Sequence, residues 1–226
     1  MQPNIYNFFK FLNQREQRPI PFKAKLLYAP ETLTPQELNV EGDLDLRKTP
    51  ITSLPEGLTV KGDLNLYNTP ITSLPEGLEV KGSLDLSNTP ITSLPKGLKV
   101  GGHLWLTNTK ITSLPEGLTV GGALGLKNTP ITSLPKGLTV GGFLWLLNTK
   151  ITSLPRGLKV GGDLDLENTQ ITSLPRGLKV GGDLYLTNTP LAKQTDEEIR
   201  AMIGPNGDII RAMIGPTGYI KGNIIR

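Results

Sequence analysis

From about residue 38 to residue 190 the apolar positions of the chain follow one pattern that repeats every twenty residues. In LTVGGALGLKNTPITSLP, residues Leu118, Val120, Leu124 and Leu126 alternate with small or polar residues, the period-two signature of extended chain with one buried side. Ile131 and Leu134 follow at a spacing of three, which suits a looser, turning segment, and Pro135 and Gly137 punctuate the chain before the next alternation. A glycine stands between the two alternating pairs in every copy, at the position of Gly122. It predicts a corner where only a missing side chain fits.

Eight copies of G-x-L-x-L-x-x-T begin at Gly42, Gly62, Gly82, Gly102, Gly122, Gly142, Gly162 and Gly182, and seven copies of ITSLPxG join them, from Ile51 to Ile171. LTPQELNV, at 33–40, reads as a degenerate half-unit that opens the array. A fixed period means one small unit stacked on copies of itself. Equivalent strands then lie about 4.8 Å apart, so eight of them make a parallel sheet roughly 40 Å long. The threonine of each unit, Thr49 through Thr189, is expected to turn inward and bond backbone groups of the adjacent coil, because buried polar groups need partners.

The flanks differ from the array and read as caps: 1–32 with an amphipathic helix, the repeats at 33–190, and an α/β cap at 191–226. Ile5, Phe8, Phe9 and Leu12 fall at helical spacing, with Phe11 and Phe22 nearby. At the other end Thr195 to Glu198 has the form of a capping box before IRAMI, and GPNG and GPTG read as tight turns between short apolar segments.

The repeated L-x-L-x-x-T-x-I-x-x-L-P resembles the leucine-rich repeat, with Thr where that family usually has Asn. The twenty-residue unit and its Leu-Pro are similar to the short bacterial subclass found in secreted effectors such as Yersinia outer protein M and the invasion-plasmid-antigen ubiquitin ligases, and to near-identical arrays in bacterial and phage reading frames. The resemblance implies a repeat solenoid: a right-handed leucine-rich-repeat-like coil stack whose parallel β-sheet lines a concave face used to bind partners. Two departures stand against it. Gly-Leu replaces the second Leu-Pro of the subclass, and an extra L-x-V strand before the glycines favours the alternative of a parallel β-helix with two or three sheets.

Parity places two columns of side chains outward on the sheet. The first reads Asp43, Asp63, Ser83, His103, Ala123, Phe143, Asp163, Asp183, and the second Asp45, Asn65, Asp85, Trp105, Gly125, Trp145, Asp165, Tyr185. A third, after the second Leu, includes Thr107 and Leu147. Both tryptophans of the chain therefore stand where solvent is expected, two coils and about 10 Å apart, with Gly125 leaving an open notch between them. Exposed aromatics mark contact surfaces. The expected partner-binding residues are His103, Trp105, Thr107, Phe143, Trp145, Leu147, Tyr185, Asp163, Asp165 and Asp183. Aspartates at both ends of the face point to a protein partner with a basic and apolar surface, with calcium and self-association as rival uses.

Composition removes several other functions. The chain has no cysteine, which excludes thiolate catalysis, and its one histidine, His103, lacks a serine-acid constellation at motif spacing. No phosphate-cradling or dinucleotide glycine motif occurs, so neither enzymatic activity nor a cofactor is expected. Of a net charge of +4 the first 28 residues carry all four charges, which leaves no basic field for nucleic acid. There is no apolar run of membrane-spanning length and no signal-peptide pattern at the start, so a cytoplasmic protein, or one secreted by a signal-independent route, is expected. The third functional class is a structural or surface-binding solenoid, for which Thr52 through Thr172 form an outward hydroxyl ladder.

Overall fold

The computed structural model of the chain describes residue 11, residues 20–204 and residues 224–225. Each twenty-residue unit makes one coil of a β-solenoid, and the coils stack in register. The x-Val dipeptides pair into one parallel sheet of eight two-residue strands, from Asn39–Val40 to Lys179–Val180. The Leu-x dipeptides beyond the glycine corner form a second parallel sheet of nine, from Leu44–Asp45 through Leu184–Tyr185 to Ile224–Ile225. The extra L-x-V segment thus builds a sheet of its own, the feature of the parallel β-helix alternative within the solenoid class.

Leu118, Val120, Leu124, Leu126, Ile131 and Leu134 are all buried, as the alternation predicts, and with their equivalents they form one continuous core from Leu26 to Ile203. Burying each such side chain contributes about 1.5–3 kcal/mol. Two tight turns per coil keep the unit at twenty residues. In the first, the Leu118 N–H donates to the Pro115 carbonyl at 3.3 Å and Gly117 takes φ +71°. In the second, the Thr109 N–H donates to the Leu106 carbonyl at 3.2 Å and Asn108 takes φ 58°. A left-handed third residue marks a type II turn, and Gly and Asn are the residues that tolerate it.

The buried threonines differ from expectation in their partner. Thr109 Oγ1 donates to the Leu106 carbonyl at 2.7 Å, and Thr69, Thr89, Thr129, Thr149, Thr169 and Thr189 repeat that bond three residues back in their own coil. The hydroxyl reinforces the turn that its own N–H closes, and its single proton is thereby spent within its own coil. The link between coils comes instead from the asparagines beside them: Asn108 Nδ2 donates to Asn88 Oδ1 at 2.8 Å, Asn128 to Asn108 at 2.8 Å and Asn148 to Asn128 at 2.9 Å.

The glycine corner is tight for the expected reason. A Cβ on Gly102 would lie 2.8 Å from the Gly82 carbonyl carbon and 2.7 Å from Ser83 Oγ, both of the preceding coil. At Gly42, in the first coil, it would meet nothing within 4 Å.

Helix α1 (Phe22–Tyr28) buries Ala24 and Leu26 at the start of the core, and Phe22 packs against it half-buried. Lys25 pairs with Glu37 at 2.7 Å, and Thr34 and Glu37 exchange bonds to each other's backbone N–H of 2.9 and 3.3 Å ahead of Asn39–Val40, the first strand of the eight-stranded sheet. Phe11 is exposed, while the Ile5, Phe8, Phe9 and Leu12 stripe lies outside the described residues. Helix α2 (Asp196–Ile203) begins at the expected capping box: the Thr195 N–H donates to Glu198 Oε2 at 2.7 Å and the Glu198 N–H to Thr195 Oγ1 at 3.2 Å. Ile199 and Ile203 close the core, and the GPNG and GPTG turns fall outside the described residues. Ile224 pairs with Leu184, two full periods earlier in sequence.

The corner supplies an internal control for a stability test. Gly102→Ala is expected to destabilise the protein by about 1–3 kcal/mol through overpacking against the coil before it, whereas Gly42→Ala stays within about 0.5 kcal/mol of the wild type. Urea unfolding of the two variants decides it, and equal effects would show that the corner is not sterically limited.

Candidate functional site

The outer face of the nine-stranded sheet carries the expected columns. His103, Phe143 and Trp145 are exposed, and Trp105, Thr107, Leu147, Tyr185, Asp163, Asp165 and Asp183 are half-buried. Away from the centre these columns serve the backbone. In the first, Asp43 Oδ1 accepts the Asp63 N–H at 2.8 Å, Asp63 Oδ1 the Ser83 N–H at 2.7 Å, Ser83 Oγ the His103 N–H at 3.2 Å and His103 Nδ1 the Ala123 N–H at 2.8 Å. Asp163 Oδ1 does the same for Asp183 at 2.8 Å. The bond to Ala123 fixes the His103 tautomer with its proton on Nε2. The corner glycines make room for this ladder, since a Cβ on Gly122 would meet His103 Nδ1 at 2.5 Å.

The second column closes local turns. The Oδ1 atoms of Asp45, Asn65, Asp85 and Asp165 accept the N–H two residues on, at 3.1, 3.0, 2.8 and 2.9 Å. Sequence reasoning took the aspartates as a signal for a basic partner and missed this role. The available signal was that aspartate, asparagine, serine and histidine, all acceptors, fill these positions except at the aromatic centre and at Tyr185 in the last coil.

There the pattern changes. Ala123 and Gly125 in the fifth coil are buried, and rings from the coils on either side lean over them. The Trp105 and Trp145 ring centroids are 5.2 Å apart with planes at 23°, His103 stacks on Trp105 at 5.3 Å, and Phe143 stacks on Trp145 at 6.1 Å. The open notch expected over Gly125 is therefore closed by the indoles themselves. The missing side chain of Gly125 permits it, since a Cβ there would lie 2.6 Å from Trp105 Cε3. The result is a continuous cluster of four stacked rings, two from the fourth coil and two from the sixth.

This surface replaces polar ones. Ala123 and Phe143 bear no acceptor for the N–H groups of Phe143 and Asp163, and Trp105, Gly125 and Trp145 bear none for those of Thr107, Lys127 and Leu147. A forgone side-chain bond and a stacked aromatic pair are each worth about 1 kcal/mol, so the exchange brings no clear stability.

The face is also acidic on a chain whose net charge is +4: seven aspartates and Glu167 stand in its columns against Arg47 and Lys127. Burial pushes the Asp165 carboxyl up, aided by Glu167, while its bond from the Glu167 N–H and nearby Lys127 oppose the shift. Partial burial followed by Asp163 and Asp183 raises the Tyr185 phenol. Asp45, paired with Arg47 at 2.8 Å, is lowered to about 2, chiefly by that hydrogen bond.

Among the described residues no group of three or more histidine, aspartate or glutamate side chains converges to hold a metal ion. No helix among them is long and apolar enough to cross a membrane. Fold and face together define a β-solenoid bearing an exposed aromatic platform. No protein-family model matches the chain, and no curated protein matches its sequence.

The raised Asp165 yields a signed prediction. Its folded-state pKa exceeds the unfolded value of about 3.9, so the folded state holds the proton more firmly and stability falls as pH rises through that window. Asp165→Asn keeps the acceptor, as Asn65 does in the second coil, and removes the charge. It is expected to raise the unfolding midpoint at pH 7 by roughly 1–3 °C, with the gain vanishing near pH 3, as followed by thermal circular dichroism.

Proposed function

We propose that the chain is a non-catalytic protein-binding module that captures its partner on the aromatic face, on a scaffold of the leucine-rich-repeat type, acting as an effector-like or phage protein on a host component. One observation carries this reading: the stack of His103, Trp105, Trp145 and Phe143 is exposed at three of its four rings, with Phe143 43% and Trp145 38% exposed and Trp105 half-buried, where the flanking coils hold residues that serve the fold. Large exposed aromatics in one patch are favoured contact residues, and their burial by a partner would supply the driving force. His103 has its Nδ1 committed to the Ala123 N–H, which suits a fixed contact residue better than a proton carrier.

A second reading, a structural or surface-binding solenoid, draws on the ITSLP segment. Thr52, Ser53 and their equivalents through Thr172 and Ser173 are exposed in every coil, making two columns of hydroxyls. Thermal hysteresis measured in solution tests its ice-binding form, and a value indistinguishable from buffer would dismiss that form.

For the leading reading, Trp105→Ala/Trp145→Ala is expected to fold, because both rings lie outside the core. It should lose a captured protein by about 30-fold or more in affinity. Pulldown from a host lysate, with circular dichroism as the folding control and an Arg156→Ala/Arg176→Ala variant on the far edge as the comparison, makes the test. Equal capture by wild type and the tryptophan variant would remove the aromatic face from the function.

A further inference from the structure

Resting on the reading of this face as partner-binding, the structure also bears on the chemistry of the partner. Asp85, Trp105, Gly125, Trp145 and Asp165 pair with one another in strict register across five neighbouring strands. The row is symmetric about Gly125: an indole on each side, then a carboxylate beyond each indole. At about 4.8 Å per strand it is roughly 19 Å long, the span of about six residues of extended peptide. Asp85 and Asp165 each accept a backbone N–H through Oδ1, at 2.8 and 2.9 Å, which holds them beside the indoles without neutralising them.

Three kinds of ligand meet such a row differently. An anionic segment is repelled at both ends. An apolar side chain needs a pocket, and the indoles close the notch over Gly125. A cationic planar group lies flat on an indole and pairs edge-on with a carboxylate, and guanidinium does both where an ammonium acts only as a point charge. We infer that the row from Asp85 to Asp165 seats an arginine-bearing extended segment of the partner, with guanidinium groups lying on Trp105 and Trp145 and pairing with the two flanking aspartates. The acidic columns on either side add attraction at longer range, of the sign that complements such a segment.

Both tryptophans of the chain lie in the row, so their fluorescence reports occupancy directly. The probes are acetylated hexa-arginine amide, hexa-lysine amide of equal charge, a neutral Ser-Gly hexamer and cellohexaose, titrated against the full chain. Hexa-arginine should give a saturable change, bind about threefold or more tighter than hexa-lysine, and weaken about tenfold between low and physiological salt. Asp85→Asn/Asp165→Asn, which keeps both backbone bonds as Asn65 does, should weaken it about tenfold, and Asp43→Asn/Asp63→Asn, in the two coils before the row and outside its register, by no more than about twofold. Binding of the neutral hexamer or cellohexaose as tight as that of hexa-arginine would overturn the inference, as would an unchanged hexa-arginine affinity in Asp85→Asn/Asp165→Asn. If hexa-arginine fails to bind while the tryptophan variant still loses its captured protein, the arginine seat is wrong and the binding face stands. If that variant keeps its protein, the face itself is wrong.

Discussion

Everything in this molecule depends on backbone pairing between each residue and its counterpart twenty positions away. Val120 pairs with Val100 and Val140, Leu124 with Leu104 and Leu144, and among the described residues no strand has more than two residues in which to absorb an error. A one-residue change in the length of any coil would turn the following side chains inside out. The two left-handed turns hold that length, and this is why glycine recurs at the Gly117 position and asparagine at the Asn108 position. The inward columns are held to one size by the same pairing, because each leucine packs against its own equivalents above and below.

Outward columns are free of that packing limit, yet most of them are not free in practice. Two-residue strands leave N–H groups at the strand ends unpaired, and the Asp43, Asp63, Ser83 and His103 ladder meets them from one coil to the next. Polar side chains there are part of the backbone's hydrogen bonding. Trp105 and both outward positions of the fifth and sixth coils depart from this arrangement, and stability does not account for the departure, since stacking gains and forgone bonds are of similar size.

The fold was legible in the sequence because a strict period fixes register without any knowledge of side-chain conformation. Parity alone sorted Leu124 and Leu126 inward and Trp105 and Trp145 outward, and the half-unit at 33–40 and the Thr195 capping box could be read from spacing. What spacing cannot supply is where a side chain leans. Thr109 faces inward as expected but bonds its own Leu106 carbonyl, and the indoles flanking Gly125 close over it rather than standing apart. The backbone role of the aspartates was hidden for a related reason: composition reports their charge, while their hydrogen bonds depend on the N–H twenty residues, or two residues, further on.

Position along the stack adds a last constraint. In a solenoid each coil is held by its two neighbours, so opening begins at the ends and the middle is the most protected part. The aromatic coils, fourth to sixth of eight, have at least two coils beyond them on each side. A platform placed there is rigid before any partner arrives, and rigidity lowers the ordering cost of binding. The charge distribution acts earlier still. Seven aspartates and Glu167 stand in the columns of this face against Arg47 and Lys127, a balance that would draw an approaching cationic segment toward the aromatic surface before contact.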